Sequence, residues 1–134
     1  MLAWTLLLPL LKYTLPLPRL VRLMWVPPRE IPASEERHRQ VSEIARLVYR
    51  SRALTRSDNC LERSLLTYRF LAMHSADPKI VVAVGRPGET RGHAWVVVDG
   101  VPVNETDATL APYVPFAVFG VGGKRLTGPV AGGP

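Results

Sequence analysis

Apolar and polar positions divide this chain into a helical first half and a strand-rich second half. After a proline-bearing stretch at 27–33, Ser34 is placed to cap a helix, with Glu35 and Glu36 in the first turn, where the dipole favours acids. Val41, Ile44, Ala45 and Val48 recur at helical spacing, which predicts one apolar face on a helix running to about Arg52. A second helix is predicted from Asp58 to His74. Leu61, Leu65, Tyr68 and Ala72 make its apolar stripe, and Leu66, Phe70 and Met73 widen it. Cys60, Ser64, Thr67 and Leu71 share a more polar face. Arg63 and Ser64 read as solvated helix surface. Past the turn at Asp77-Pro78 the period changes. Ile80 to Val84 reads as a buried strand, Gly85 to Glu89 as a loop and His93 to Val98 as a second strand. Asp99-Gly100 is a tight hairpin turn, Val101 to Glu105 a third strand, and Tyr113 to Val121 a fourth. Helices followed by antiparallel strands make the expected class α+β.

The two ends follow other rules. In residues 1–26 the apolar run lasts only about ten residues before Lys12, against the roughly 20 that a spanning helix needs. Pro9, Pro16 and Pro18 interrupt it, and Met1-Leu2-Ala3-Trp4 lacks the basic start of a secretion signal. Two readings stay open for this segment. It is either a short helix or extended arm covering the core, or an exposed apolar arm that docks a partner or a membrane surface. The glycine- and proline-rich stretch 122–134 reads as a flexible tail. The expected organisation is thus an apolar arm or short helix (1–26), one domain (27–121) and a flexible tail (122–134), in a cytoplasmic protein for which peripheral contact with the membrane stays open.

Composition narrows the function. A chain of 134 residues suits one domain, and 47% hydrophobic content excludes general disorder. One cysteine cannot form an internal disulfide, and three scattered histidines show no metal-ligand spacing. The formal charge of +6 lacks the interleaved aromatics or reading motif of a nucleic-acid binder. An acidic peptide or protein is the better-matched partner.

The chemistry centres on Cys60, where the second helix begins. Free backbone N–H groups and the helix dipole favour a thiolate there. His93, on the second strand, is the base such a thiol needs. On that strand His93, Trp95 and Val97 share a face. If Asp99-Gly100 is a two-residue loop, Pro102, Asn104 and Thr106 share the His93 face. A three-residue bulged loop would bring Val101, Val103 and Glu105 there instead. Asn104 and Glu105 are therefore both candidates to orient the imidazole, and Asp107 is a more distant third.

The stretches Cys60-Leu61-x-Arg63-Ser64-Leu65, Tyr68-x-x-Leu71 and His93-Ala94-Trp95-Val96-x-Val98-Asp99-Gly100-x-Pro102-Val103-Asn104 resemble the leader peptidases of lasso-peptide biosynthesis. These are the stand-alone peptidase form of the transglutaminase-like, papain-related superfamily, and the resemblance covers roughly residues 40–110. It implies a cysteine peptidase that removes the leader from a ribosomally made precursor peptide before macrolactam formation. Cys60 would be the nucleophile and His93 the general base, then the acid to the leaving amine. The family's third member is an acid shortly after the hairpin, where this chain has Asn104-Glu105. The expected Asp stands here as Glu105, and Val97 occupies a position where the family often carries Glu. The backbone N–H of Cys60 is the natural first oxyanion donor. No second donor is evident, Gln40 being a poor candidate. No metal or organic cofactor is needed. The implied partners are the precursor peptide, a small leader-binding protein (a RiPP recognition element) and the macrolactam-forming cyclase. Amide transfer or deamidation, as elsewhere in the superfamily, and a catalytically silent peptide-binding module are the alternatives.

Overall fold

The computed structural model describes residues 2–27, 39, 43, 46–47, 50, 60–73, 77–88 and 91–127. Its elements are α1 (Leu2–Thr14), α2 (Leu17–Met24), α3 (Cys60–Met73), β1 (Lys79–Gly85), β2 (His93–Val98), β3 (Val101–Pro102), α4 (Asp107–Leu110), β4 (Tyr113–Phe119) and a 3-10 turn at Val121–Gly123. The fold is α+β: helices, then an antiparallel sheet of four strands in the order β3-β2-β1-β4. Residues 39, 43, 46, 47 and 50 are helical, while Ser34 and the apolar face of Val41, Ile44, Ala45 and Val48 lie outside the described residues.

Both faces of the sheet carry buried residues at its centre, while Val84, Val101, Val114 and Phe116 are exposed nearer the strand ends. Ile80, Val96, Val98, Ala117 and Phe119 pack against Leu8, Leu20, Val21 and Met24 of α1 and α2 and against Leu65, Leu66, Tyr68 and Leu71 of α3. Val81, Ala83, Trp95, Val97 and Val118 face the other way and gather round Leu110 of α4. The central strands β1 and β2 therefore read as nearly unbroken apolar runs instead of alternating ones.

Residues 2–26 supply part of this core. Pro16 and Pro18 separate α1 from α2, and Pro18 sits in the first turn of α2, where a missing N–H costs nothing. Pro9 is accommodated inside α1. Leu8, Leu20, Val21 and Met24 are completely or almost completely buried. The opposite side of α1 presents Leu6 (71% exposed), Leu10 (67%) and Tyr13 (83%) to solvent. No described helix is long and apolar enough to cross a membrane.

Three expectations need correction. Leu71 is buried in the core, and Ser64 and Thr67 are buried as well. Helix α3 touches α1, α2, β1 and β2 together, so a single apolar stripe does not describe it. Strand β3 ends at Pro102 instead of Glu105, because Asn104 adopts a left-handed backbone with φ 59°. Finally, the start of the expected tail is tied to the fold: the Leu126 N–H donates to Val118 O at 2.8 Å and the Gly120 N–H to Lys124 O at 2.9 Å, although residues 124–127 stay exposed. Gly123 is buried with φ +67°, and a Cβ there would lie 2.6 Å from Arg22 Cα, so only glycine lets α2 approach this closely. Tyr68, fully buried, donates its hydroxyl to Gly120 O and accepts the Gly123 N–H at 3.1 Å. Burial pushes the Tyr68 phenol up to about 12.

A carboxylate in the core ties the first helix to the third. Glu62 is completely buried, and its Oε1 lies 2.8 Å from Lys12 Nζ. The hydrogen bond to Glu62 raises the Lys12 ammonium above its ordinary value.

Candidate active site

Cys60 opens the described part of α3 and is half-buried against the start of β2. What seats the helix there is the early end of β3. Val98 pairs with Val101 across Asp99-Gly100, a two-residue turn with both φ positive (51° and 78°). Val97 pairs with Pro102, and the Val103 N–H reaches Val96 O at 2.8 Å. Beyond that point β3 no longer follows β2. Ala94 has the same parity as Val96, so its N–H and C=O point toward the vacated edge. Helix α3 takes up both. Ser64 donates its hydroxyl to Ala94 O at 2.8 Å, and the Ala94 backbone N–H donates to the Cys60 thiol one turn earlier.

With α3 held against Ala94, Cys60 meets His93. The imidazole Nε2 lies 2.8 Å from Glu105 Oε1, which leaves Nδ1 as the ring nitrogen for the thiol hydrogen bond. The ring stacks on Tyr113 with centroids 4.8 Å apart and tilts against Trp95 at 5.7 Å. Glu105 is anchored at its other oxygen, Oε2, by the Thr109 hydroxyl at 2.8 Å.

The turn has the two-residue length that would have placed Asn104 on the His93 face, yet Glu105 is the residue that reaches the ring. The left-handed backbone at Asn104 breaks the strand alternation, turning Asn104 out to solvent and bringing Glu105 round. Asp107 is exposed in the first turn of α4, away from the imidazole's contacts. Gln40 lies outside the described residues.

The charges cooperate. Burial opposes ionisation of Cys60, but hydrogen bonds from His93 and the Ala94 backbone, with the charges of His93 and Arg63, hold the thiol below its ordinary value. Hydrogen bonds to Cys60 and Glu105 outweigh burial at His93 and push the imidazole up to about 9. Burial likewise opposes the Glu105 charge, and the His93 and Thr109 hydrogen bonds with the His93 and Arg63 charges hold its carboxyl below the usual range. At neutral pH these directions favour a thiolate, an imidazolium and a carboxylate in a row.

Thr109 and Tyr113, and the electrostatic part taken by Arg63, are not visible from spacing alone. Thr106-x-x-Thr109 is a cap-like pattern that marks the start of α4, a helix the periodicity does not reveal. Among the described residues no group of three or more His, Cys, Asp or Glu side chains could hold a metal ion.

A thiol hydrogen-bonded to an imidazole, itself held by a carboxylate, is an arrangement for attack on a carbonyl carbon through a covalent acyl intermediate. A family model described as the transglutaminase-like superfamily matches residues 4–118. No curated protein and no solved structure gives a match.

Proposed function

The chain belongs to the transglutaminase-like superfamily, and from that premise we propose that it is a cysteine peptidase that removes the leader from a lasso precursor peptide. The observation that carries the reading is the Cys60–His93–Glu105 row, with Nε2 of His93 at 2.8 Å from Glu105. The motifs around Cys60 and His93 support the narrower assignment to leader removal.

In this reading thiolate Cys60 attacks the scissile carbonyl. The Cys60 backbone N–H, at the head of α3, donates to the developing oxyanion. His93, protonated and held by Glu105, gives its Nδ1 proton to the departing amine, and the C–N bond breaks to leave a thioester. His93, now neutral, removes a proton from water, which attacks the thioester and frees the acid. The precursor peptide is presented by a separate leader-binding protein, and the freed core passes to the macrolactam-forming cyclase.

Mass spectrometry of a cognate precursor mixed with this protein and its leader-binding partner tests the reading. One defined cut, lost in Cys60→Ala, is the expected result. A new amide cross-link or a glutamine converted to glutamate would assign amide transfer or deamidation instead. An intact precursor, with the leader shown to be bound by the partner, would point to a silent module.

A further inference from the structure

A glutamate has one more side-chain torsion than an aspartate, so a Glu that orients a histidine needs something to hold its carboxylate in one rotamer. The two oxygens of Glu105 are engaged separately, Oε1 at 2.8 Å from His93 Nε2 and Oε2 at 2.8 Å from the Thr109 hydroxyl. Thr109 is itself fixed. Its backbone N–H donates to Thr106 Oγ1 at 3.3 Å, and its hydroxyl oxygen accepts the Thr106 N–H at 2.9 Å, closing the cap of α4. The single hydroxyl proton then has two acceptors at 2.8 Å, the Glu105 carboxylate and Thr106 O. Thr106 O already accepts the N–H groups of Thr109 and Leu110. The anionic oxygen is the stronger acceptor and the one still in need of a donor.

We infer that Thr109 is a positioning residue of this site, a hydroxyl that locks the longer Glu105 side chain so that its carboxylate faces His93. The inference rests on the proposed use of Cys60, His93 and Glu105. It makes the cap of α4 part of the site and explains how a Glu serves where an Asp is expected.

The test uses the full chain and a readout independent of any peptide substrate, the rate of Cys60 alkylation by iodoacetamide across pH, with the His93 titration followed by NMR. Thr109→Val keeps the branched shape and the capping N–H but loses the hydroxyl. The His93 titration is expected to move down by about one pH unit. Precursor cleavage should slow about 5- to 10-fold at unchanged KM, the loss of one hydrogen bond. Thr109→Ser restores both. Thr109→Ala, which suits a helix, repeats the loss and guards against a misfolded valine variant. In a Glu105→Ala background Thr109→Val should add nothing. An unmoved or raised His93 titration in both hydroxyl-free variants would overturn the inference, as would an undiminished Thr109→Val effect without Glu105. An unmodified protein whose Cys60 and His93 titrate like free side chains would overturn the active-site reading itself, a result distinguishable from any behaviour of the Thr109 variants.

Discussion

Ser64 donates its hydroxyl to the backbone carbonyl of Ala94 at 2.8 Å, which fixes the Cys60-bearing helix to the strand at the residue beside His93. Ser64→Ala leaves that buried carbonyl short of a donor. A loss of about 1–3 kcal/mol in urea unfolding is expected. Cys60 alkylation at neutral pH should also slow, because the thiol is no longer held against the imidazole. Unchanged stability and unchanged thiol reactivity would mean that the helix is seated by apolar contacts alone.

The pH profile of peptide cleavage should be bell-shaped. The rising limb reports ionisation of Cys60, which lies below its ordinary value of 9.0 because hydrogen bonds and charge at His93 outweigh its burial. The falling limb reports loss of the His93 proton near pH 9, since Cys60 and Glu105 both raise that group. Glu105→Gln removes an anionic partner and should shift the falling limb toward the ordinary histidine value. Stability carries the same sign. The raised His93 contributes in full below its ordinary 6.5, and that contribution fades as pH climbs through about 9. Kinetics and thermal melts from pH 5 to 10 check both; a falling limb unmoved in Glu105→Gln would remove Glu105 from the row.

Lys12→Met removes the ammonium facing the completely buried Glu62 carboxylate. Unfolding free energy should drop by about 2–4 kcal/mol, and Glu62→Leu in the same chain should recover most of it, since an apolar pair needs no charge compensation. Urea titration of both variants reads this directly. A double variant no more stable than the single one would show that Glu62 serves beyond the ion pair.

On the proposed reading, the exposed Leu6, Leu10 and Tyr13 on the outward side of α1 offer a surface for the leader-binding protein. Deleting residues 1–26 would strip Leu8, Leu20, Val21 and Met24 from the core, so point changes are the cleaner probe. Leu6→Glu with Leu10→Glu alters only residues at 71% and 67% exposure and should leave the melting temperature within a few degrees. Association, measured by calorimetry, should weaken at least about 10-fold if these leucines are buried on contact. Undiminished binding would place the partner elsewhere.

Much of the architecture was legible because it depends on local pattern. The β2–β3 turn announces itself in Asp99-Gly100, and Cys60 and His93 stand where helix and strand periods put them. Burial within α3 was less legible. Leu71, Ser64 and Thr67 are covered by partners that arrive from α1, α2 and two strands, and no single-face period records four neighbours. The start of the tail misled at Gly123 for a related reason. Gly123 looks like flexibility in a sequence, yet here its missing Cβ admits the backbone of Arg22. The choice between Asn104 and Glu105 was beyond spacing altogether. It turns on one positive φ, at a residue type that tolerates such a backbone without demanding it.

That single torsion acts as a switch for the whole site. Were Asn104 extended, β3 would continue along β2, claim the peptide groups of Ala94 that Cys60 and Ser64 now hold, and send Glu105 to the far side of the sheet. Helix seat and histidine partner would vanish in one step, with every reactive side chain still present in the sequence. On the proposed reading, making a strand longer would silence the chemistry, and an inventory of the candidate residues would not notice.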